Sequence, residues 1–336
     1  MAPLNLVLKG TDFVLRSYSP AADLYQVRKL FSKDTCSREY APDLLPQYAT
    51  DVRFKPYILE GPMGVVAFVA IRNLSADTDT SNKRLVFVEA VRVREDVRGA
   101  GLGTELMSTV VDNVRAAHPE KQHLRILATT VFQNEPMRRV FQKTGWTSAA
   151  TMLLWPSDKK VLQVINSTAP TLEALGVANM VSPDVFVLSK QWKEIRTPSE
   201  ILAIIHYLRD SGSEYLRPDL FTVEGAIASS RFLCHELAKQ EGRSVWRLTR
   251  GENPAGLLFV RPRVLDPAVT TLDCTVSACI DGVHEAESAV VFAASREELP
   301  YFRIIFDNGM TPDMIATSPM LSLCGCFPFL VYECTQ

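Results

Sequence analysis

The chain has no long apolar run and no excess of charge of either sign over its 336 residues. Its longest apolar stretch, Met320 to Tyr332, is broken by Gly325 and Pro328 and falls short of the ~20 residues that a bilayer-spanning helix needs. The 36 Lys and Arg residues balance 38 Asp and Glu, and no basic block provides an electrostatic footprint for nucleic acid. We therefore expect neither a membrane span nor a nucleic-acid partner.

Cysteine is also too sparse and irregular to form a disulfide scaffold. The seven cysteines are an odd number at uneven spacing. Cys324-Gly325-Cys326 has no His or second Cys pair at zinc spacing, so its apolar neighbours predict buried thiols in a strand rather than a metal site. The first residues carry Lys9, Asp12 and Arg16 and show no signal-peptide core. These features predict a cytoplasmic protein without a metal.

The length suggests two domains, and the pattern of the first is mixed α and β. In the first half we predict strands at 13–16, 57–59, 65–71, 85–93, 123–128 and 146–155, and helices at 22–31, 44–48, 102–117 and 136–143. In the second half we predict helices from Pro198, at 223–239 and at 284–294, and strands at 245–248, 256–260 and 270–280. The predicted domains are residues 1–156 and 199–336, joined by a proline-punctuated linker, 157–198, without a strong helix.

The segment from Val86 to Thr104 points to phosphate binding. A valine-rich strand runs into Arg98-Gly99-Ala100-Gly101-Leu102-Gly103-Thr104, where a helix begins. Glycines let the backbone approach a ligand closely, and a helix start offers unpaired N–H groups and the positive end of its dipole. The spacing is neither that of a P-loop nor that of a dinucleotide fold. It predicts a diphosphate-binding turn; the alternative is a glycine-rich turn that binds nothing.

Arg-Gly-x-Gly-x-Gly after a strand ending in Val-x-Val resembles motif A of the GCN5-related N-acetyltransferases (GNAT), which use acetyl-CoA. Asn134 to Trp146 resembles a second segment of that family, and the likeness covers about residues 13–155. It implies an α+β GNAT fold: a mixed, mostly antiparallel twisted sheet with helices on both faces. It also implies the residues that bind acetyl-CoA: Val91, Arg92, Val93, Arg98, Gly99, Ala100, Gly101, Leu102, Gly103, Thr104 and Asn134.

Acetylation of an amine needs a group that handles the amine proton and a donor that stabilises the oxyanion. The resemblance implies Glu89 as the base, with a structural ion-pair glutamate as the alternative, and the Val91 amide as the oxyanion donor. Where many family members place a tyrosine that protonates the thiolate, this chain has Phe141. We interpret Phe141 as a core residue, which leaves the general acid unassigned.

The two-lobe layout resembles the histidine N-acetyltransferase-like family, whose second lobe is a degenerate GNAT-like fold. Here Asp281 stands where Arg98 stands in the first lobe, so we expect one CoA per chain. The resemblance implies a small-molecule amine as acceptor, such as free histidine. The alternatives are a peptide or protein acetyltransferase and a silent acyl-CoA-binding protein. Both a monomer and a homodimer stay open.

Recognition of an amino acid would need a cation for its carboxylate and an aromatic ring for an imidazole. Candidate cations are Arg92, Arg247 and Arg261, and candidate rings are Trp192, Tyr215 and Trp246. Surface arginines and core aromatic residues are the simpler interpretation of these positions. His206 and His235 lie near apolar helix positions and are interpreted as structural.

Overall fold

The structure of the chain is a computed structural model. It describes residues 4–8, 11–31, 45, 52–74, 83–118, 123–156, 182–210, 215–217, 221–222, 244–250, 252–266, 269–277, 282–294, 301–306, 311–322 and 327–334. The chain divides into two compact units. The first contains Met1–Ala149 and Val331–Gln336, and the second contains Ala150–Leu330. The predicted boundaries at residues 156 and 198 remain a prediction.

The first unit is built on a mixed, mostly antiparallel sheet, as predicted. Its strands are β1 (Leu4–Leu8), β2 (Thr11–Ser17), β3 (Phe54–Gly61), β4 (Gly64–Asn73), β5 (Lys83–Val93), β6 (His123–Val131), β7 (Trp146–Pro156, to Ala149 in this unit) and β15 (Phe327–Cys334, from Val331). They are ordered β1-β2-β3-β4-β5-β6-β15-β7. Strands β1 to β5 pair antiparallel in sequence order, while β5 and β6 pair parallel.

Helices cover both faces of this sheet, which confirms the predicted α+β fold class for the first unit. They are α1 (Pro20–Phe31), α2 (Leu102–Ala116) and α3 (Glu135–Lys143). Helix α1 packs its buried Val27 and Phe31 in one cluster with Phe68 of β4. Helix α2 lies on the opposite face. A Cβ at Gly103 of α2 would lie 3.7 Å from the side chain of Val93, and Val93 pairs with Ala67 on β4. Because Ala67 directly precedes Phe68, the two side chains point to opposite faces of the sheet.

The last strand of the chain inserts between β6 and β7. Glu333 accepts two hydrogen bonds of 2.7 Å from the guanidinium of Arg125 on β6, and its backbone carbonyl accepts one from Thr147 on β7. Tyr332 stacks on Phe141 of α3. The predicted second domain included this strand, but its final residues belong to the core of the first unit. Because the pairing partners lie about 200 residues apart, no local sequence pattern predicts that the end of this strand joins the first unit.

The second unit contains further strands and helices and a buried core. Its strands are β8 (Lys193–Ile195), β9 (Tyr215–Arg217), β10 (Phe221–Thr222), β11 (Ser244–Arg250), β12 (Asn253–Asp266), β13 (Val269–Ser277) and β14 (Tyr301–Phe306), and its helices are α4 (Pro183–Ser189), α5 (Pro198–Asp210), α6 (Val283–Ala294), α7 (Pro312–Ala316) and α8 (Pro319–Ser322). The order β14-β13-β12-β11-β8 has its parallel pair at β13 and β14. Ala289 and Val290 of α6 are fully buried in one cluster with Trp192 and Leu258.

Part of the predicted linker is structured. Helix α4 and strand β8 fall within residues 157–198, where no strong helix was expected. The Ser182 side chain accepts a hydrogen bond from the amide of Asp184, and Pro183 occupies the start of the helix, where a proline costs nothing. That proline therefore begins a helix and does not break one.

Two further predicted helices fall on parts of the chain that the structure does not describe. The helices expected at 44–48 and 223–239 lie outside the described residues, apart from Leu45, which is helical and buried. Among the helices that the structure does describe, none is both long enough and apolar enough to cross a bilayer.

Candidate functional site

Strand β5 contains a β-bulge at Ala90, whose φ of 56° is unusual for a residue other than glycine. Glu89 pairs with Ala70 of β4, but Arg92 pairs with Phe68, so two residues of β5 oppose a single residue of β4. The bulge shifts the alternation of side chains by one position. Glu89 and Arg92 therefore lie on the same face of the sheet, the one that α1 covers.

Strands β5 and β6 part just before the bulge. Their parallel pairing ends at Val88 and Ala128, although β5 continues to Val93. The amide of Arg94 donates to a carbonyl of β4 over 2.8 Å, and backbone groups alternate along a strand. The peptide groups of Val91 and Val93 therefore point away from β4, toward the side that β6 has left. This is the edge at which the resemblance places the pantetheine arm.

Two predicted binding residues, Arg92 and Arg98, fold back onto this edge. The Nε of Arg98 donates to the carbonyl of Val93 over 2.9 Å, and Nη1 of Arg92 donates to the carbonyl of Val91 over 2.9 Å. The guanidinium of Arg92 also lies 5.5 Å from the ring centre of Phe31 on α1. Both guanidinium groups are thus held beside the end of β5.

The glycine turn that follows β5 leads directly into α2. Gly99 has a φ of 80° and Gly101, the N-cap residue, has a φ of 94°. No atom of the described residues lies within 4 Å of the position of a Cβ at either glycine. Within the described part of the chain, the amide N–H groups of residues 99–103 have no hydrogen-bond acceptor, whereas those of Thr104 and Glu105 donate to Gly101. The turn thus presents unbonded donors at the positive end of a helix dipole, which suits an anion.

Glu89 is buried, with 5% of its surface exposed, and Arg72 of β4 holds it in a bidentate ion pair. The Nη2 of Arg72 lies 2.9 Å from Oε1 and 3.0 Å from Oε2, and its Nε lies 3.2 Å from Oε1. The interpretation of Glu89 as a base remains a prediction. The sequence analysis missed Arg72, although a charged residue just after the apolar run of β4 was a signal for it.

Asn134 is the N-cap residue of α3. Its Oδ1 accepts a hydrogen bond from the amide of Met137 over 3.3 Å, and its Nδ2 donates to the hydroxyl of Thr130 over 3.0 Å. These bonds orient the side chain at the helix start. A cofactor contact of Asn134 remains a prediction.

Phe141 is fully buried, which confirms its interpretation as a core residue. Its ring stacks on Tyr332 with centres 4.4 Å apart and contacts Trp146 at 5.1 Å. The ring therefore links α3 to the strand that the end of the chain supplies.

The candidates of the second unit have structural partners where they are described. Arg247 pairs with Glu200 over 2.7 Å. Trp192 is buried and donates to the Ser288 hydroxyl over 3.1 Å, and Trp246 contacts Phe292, so both rings belong to the core. His206 is half-buried on α5. The side chains of Arg261 and Tyr215, and the residues His235, Asp281 and 324–326, lie outside the description.

Among the described residues, no three His, Cys, Asp or Glu side chains are grouped closely enough to hold a metal ion. The arrangement in the first unit consists instead of an open backbone edge, an anion-binding turn and a buried carboxylate. Such a set can bind an extended diphosphate-bearing ligand along β5 and the start of α2.

The family model for the acetyltransferase (GNAT) family matches residues 22–146. A comparison with curated protein sequences gives no significant match.

Solved structures of similar fold have low sequence identity. A GCN5-related glucosamine N-acetyltransferase region of a fungal multi-domain β-N-acetylglucosaminidase aligns with 96% of this chain at 13% identity and a TM-score of 0.57, although the chain spans only 38% of that protein. A GCN5-related N-acetyltransferase from Sphaerobacter thermophilus aligns at 12% identity and a TM-score of 0.53, covering 96% of this chain and 95% of that one. A structure from Thermoplasma acidophilum gives 12% identity, a TM-score of 0.52 and coverages of 95% and 98%. These likenesses concern the fold. The family match extends over less than half of the chain, and it shows that residues 22–146 are similar to the acetyltransferases of the GNAT family.

Proposed function

We propose that the chain is an acetyl-CoA-dependent N-acetyltransferase that acts on the amine of a small molecule. The observation that carries this proposal is the turn at residues 99–103, whose amide groups are unbonded and whose two positive-φ glycines face open space. Donors of this kind at a helix start bind phosphate groups. The GNAT family match over the same segment supports acetyl-CoA as the source of those phosphates.

In this proposal the backbone of residues 91–93 binds the pantetheine arm and the turn from Arg98 to Thr104 binds the diphosphate. Asn134 contacts the cofactor from the loop before α3. Acetyl-CoA, when bound, supplies an acetyl thioester that an amine can attack. The amide of Val91, on the edge that β6 has left, is the donor that polarises the thioester oxygen.

Glu89 is the residue assigned to the amine. Its carboxylate lies on the α1 face of the sheet. The bulge at Ala90 separates Glu89 from the backbone groups of residues 91–93 that would bind the cofactor. The carboxylate there orients the amine through a hydrogen bond, and it accepts the amine proton directly or through water. Phe141 carries no ionisable group, so the proposal assigns no general acid to the thiolate.

The acceptor is proposed to be a free amino acid such as histidine. The likeness of the layout to the histidine N-acetyltransferase-like family supports this choice, as does Arg92, a cation on the same face as Glu89. The second unit is proposed to be a degenerate GNAT-like lobe that binds no CoA. Whole-chain alignments with two GNAT-type structures at TM-scores above 0.5 support that fold.

The cofactor assignment is tested by titrating the protein with acetyl-CoA in a calorimeter. We expect one equivalent to bind, and Arg98→Glu to abolish binding while the unfolding midpoint stays unchanged. Arg139→Glu is the matched control, because it reverses an exposed charge on α3 and should leave the affinity as it is. Equal affinity for Arg98→Glu and the control would contradict the assignment of the turn.

The acceptor class is tested by measuring CoA release with the free amino acids, other small amines and a peptide panel. Turnover with free amino acids, histidine first, is the expected result. Turnover with peptides alone would favour an acetyltransferase of peptide or protein amines. Cofactor binding without turnover on any amine would favour a silent acyl-CoA-binding protein.

A further inference from the structure

Arg72 and Glu89 form the most completely buried ion pair described in the first unit. Their side chains are 11% and 2% exposed, and the guanidinium reaches both carboxylate oxygens at 2.9 and 3.0 Å. Such a fork fixes the plane and the direction of a carboxylate, which a single point charge does not. The orientation of Glu89 is thus determined from the neighbouring strand.

Arg72 is itself held in place from a second direction. Its guanidinium carbon lies 4.2 Å from the centre of the Phe54 ring at the start of β3. A guanidinium stacks on an aromatic face at this distance, and the stack restricts rotation of its plane. Phe54, Arg72 and Glu89 therefore form a chain of contacts across three adjacent strands that ends at the carboxylate.

We propose that Arg72 is a positioning residue for acetyl transfer, which holds Glu89 ionised and aimed at the acceptor amine. This inference rests on the proposed function, because it assigns a role to Glu89 in that reaction. A nearby cation stabilises the charged form of a carboxylate, so Glu89 meets the amine as an oriented anion. Arg72 acts only through Glu89 and touches no reacting atom.

A double-mutant cycle on kcat tests this dependence. Arg72→Met and Glu89→Gln should each lower kcat by about 10²-fold, and the double variant should fall no further than Glu89→Gln alone. The affinity for acetyl-CoA should stay within about twofold throughout, because neither side chain lies in the glycine turn. Arg72→Lys keeps the charge without the fork and should lose about tenfold.

The matched control is Arg125→Met, which breaks another bidentate Arg–Glu pair of the same unit, the one with Glu333. It should leave kcat near the wild-type value in the fraction of the protein that is folded. The pH profile separates positioning from a structural role. In Arg72→Met the acid limb of kcat should move to higher pH, since a carboxylate without its cation accepts a proton at higher pH.

Additive losses in the cycle would overturn the inference, as would an Arg72→Met variant whose kcat and pH profile match those of Arg125→Met. If Arg72→Met does not fold, Arg72→Lys and the double variant, which removes both charges of the pair, carry the same comparison. A wild-type protein that turns over no amine would refute the proposed function and this inference with it. That result would be visible before any variant is made.

Discussion

The sharpest prediction concerns Gly101, the N-cap residue of α2, whose φ is 94°. An L-residue with a Cβ is strained in this region, at a cost of about 1–2 kcal/mol. No atom lies within 4 Å of the position of the new Cβ, so Gly101→Ala adds no clash to that strain. For a unit of this size, the loss corresponds to a fall in the unfolding midpoint of about 2–8 °C.

The same substitution should weaken acetyl-CoA binding. The new methyl group would enter the open space beside the unbonded amides of residues 99–103, where the phosphates are proposed to approach. Losing a hydrogen bond to a charged group costs about 1.5–3 kcal/mol, which is a decrease in affinity of roughly 10- to 150-fold. Calorimetric titration measures the affinity, and scanning calorimetry without ligand measures the midpoint.

Gly145→Ala is the matched control for this prediction. Gly145 follows α3, also has a positive φ, of 76°, and has no assigned role in binding. The substitution should lower the midpoint by a similar amount and leave the affinity for acetyl-CoA unchanged. If both variants bind acetyl-CoA as the wild type does, the turn is not the diphosphate site. If both lose affinity equally, the effect comes from destabilisation and the reasoning fails.

Three further predictions concern stability. Burial acts to raise the pKa of Asp23, but the hydrogen bonds and the charge of Arg16 lower this pKa below the ordinary value of 3.8. The ionised carboxylate therefore stabilises the fold above pH 3.8, and this stabilisation is lost as the pH falls below that value. The free energies of urea unfolding of the wild type and of Asp23→Asn should differ at pH 6 and converge in acid. Phe141→Tyr places a hydroxyl in a fully buried site and should cost about 1–3 kcal/mol without a gain in turnover; an unchanged midpoint with faster turnover would contradict this. Removing residues 327–336 deletes β15 and should abolish cooperative unfolding of the first unit and acetyl-CoA binding, and a truncated chain that still binds would refute this.

The parts of the fold that follow from local pattern were predictable. Apolar spacing located α1, α2, α3 and α6, and runs rich in β-branched residues located β4 and β5, because each signal lies within its own element. The glycine turn could be placed for the same reason, since positive φ and a helix start are encoded in consecutive residues.

The features that the sequence analysis missed depend on partners distant in sequence. Arg72 matters because Glu89 lies on the next strand. The end of β15 belongs to the first unit, where Glu333 pairs with Arg125 and Tyr332 stacks on Phe141. The bulge at Ala90 could not be predicted, because the residue with positive φ is an alanine and not a glycine. In each case the residue types are ordinary, and only the pairing of strands gives them their role.

The bulge links the two halves of the proposed site. In a regular strand, Glu89 and Arg92 would point to opposite faces, because three residues is an odd step in a period of two. The extra residue at Ala90 puts both on the α1 face, and pairing with β6 ends immediately before it, at Val88. One backbone irregularity therefore places two charged side chains on the proposed acceptor side, next to the open backbone edge that is proposed to bind the cofactor. Straightening β5 would undo both features together, so the proposed site depends on the strained backbone at Ala90.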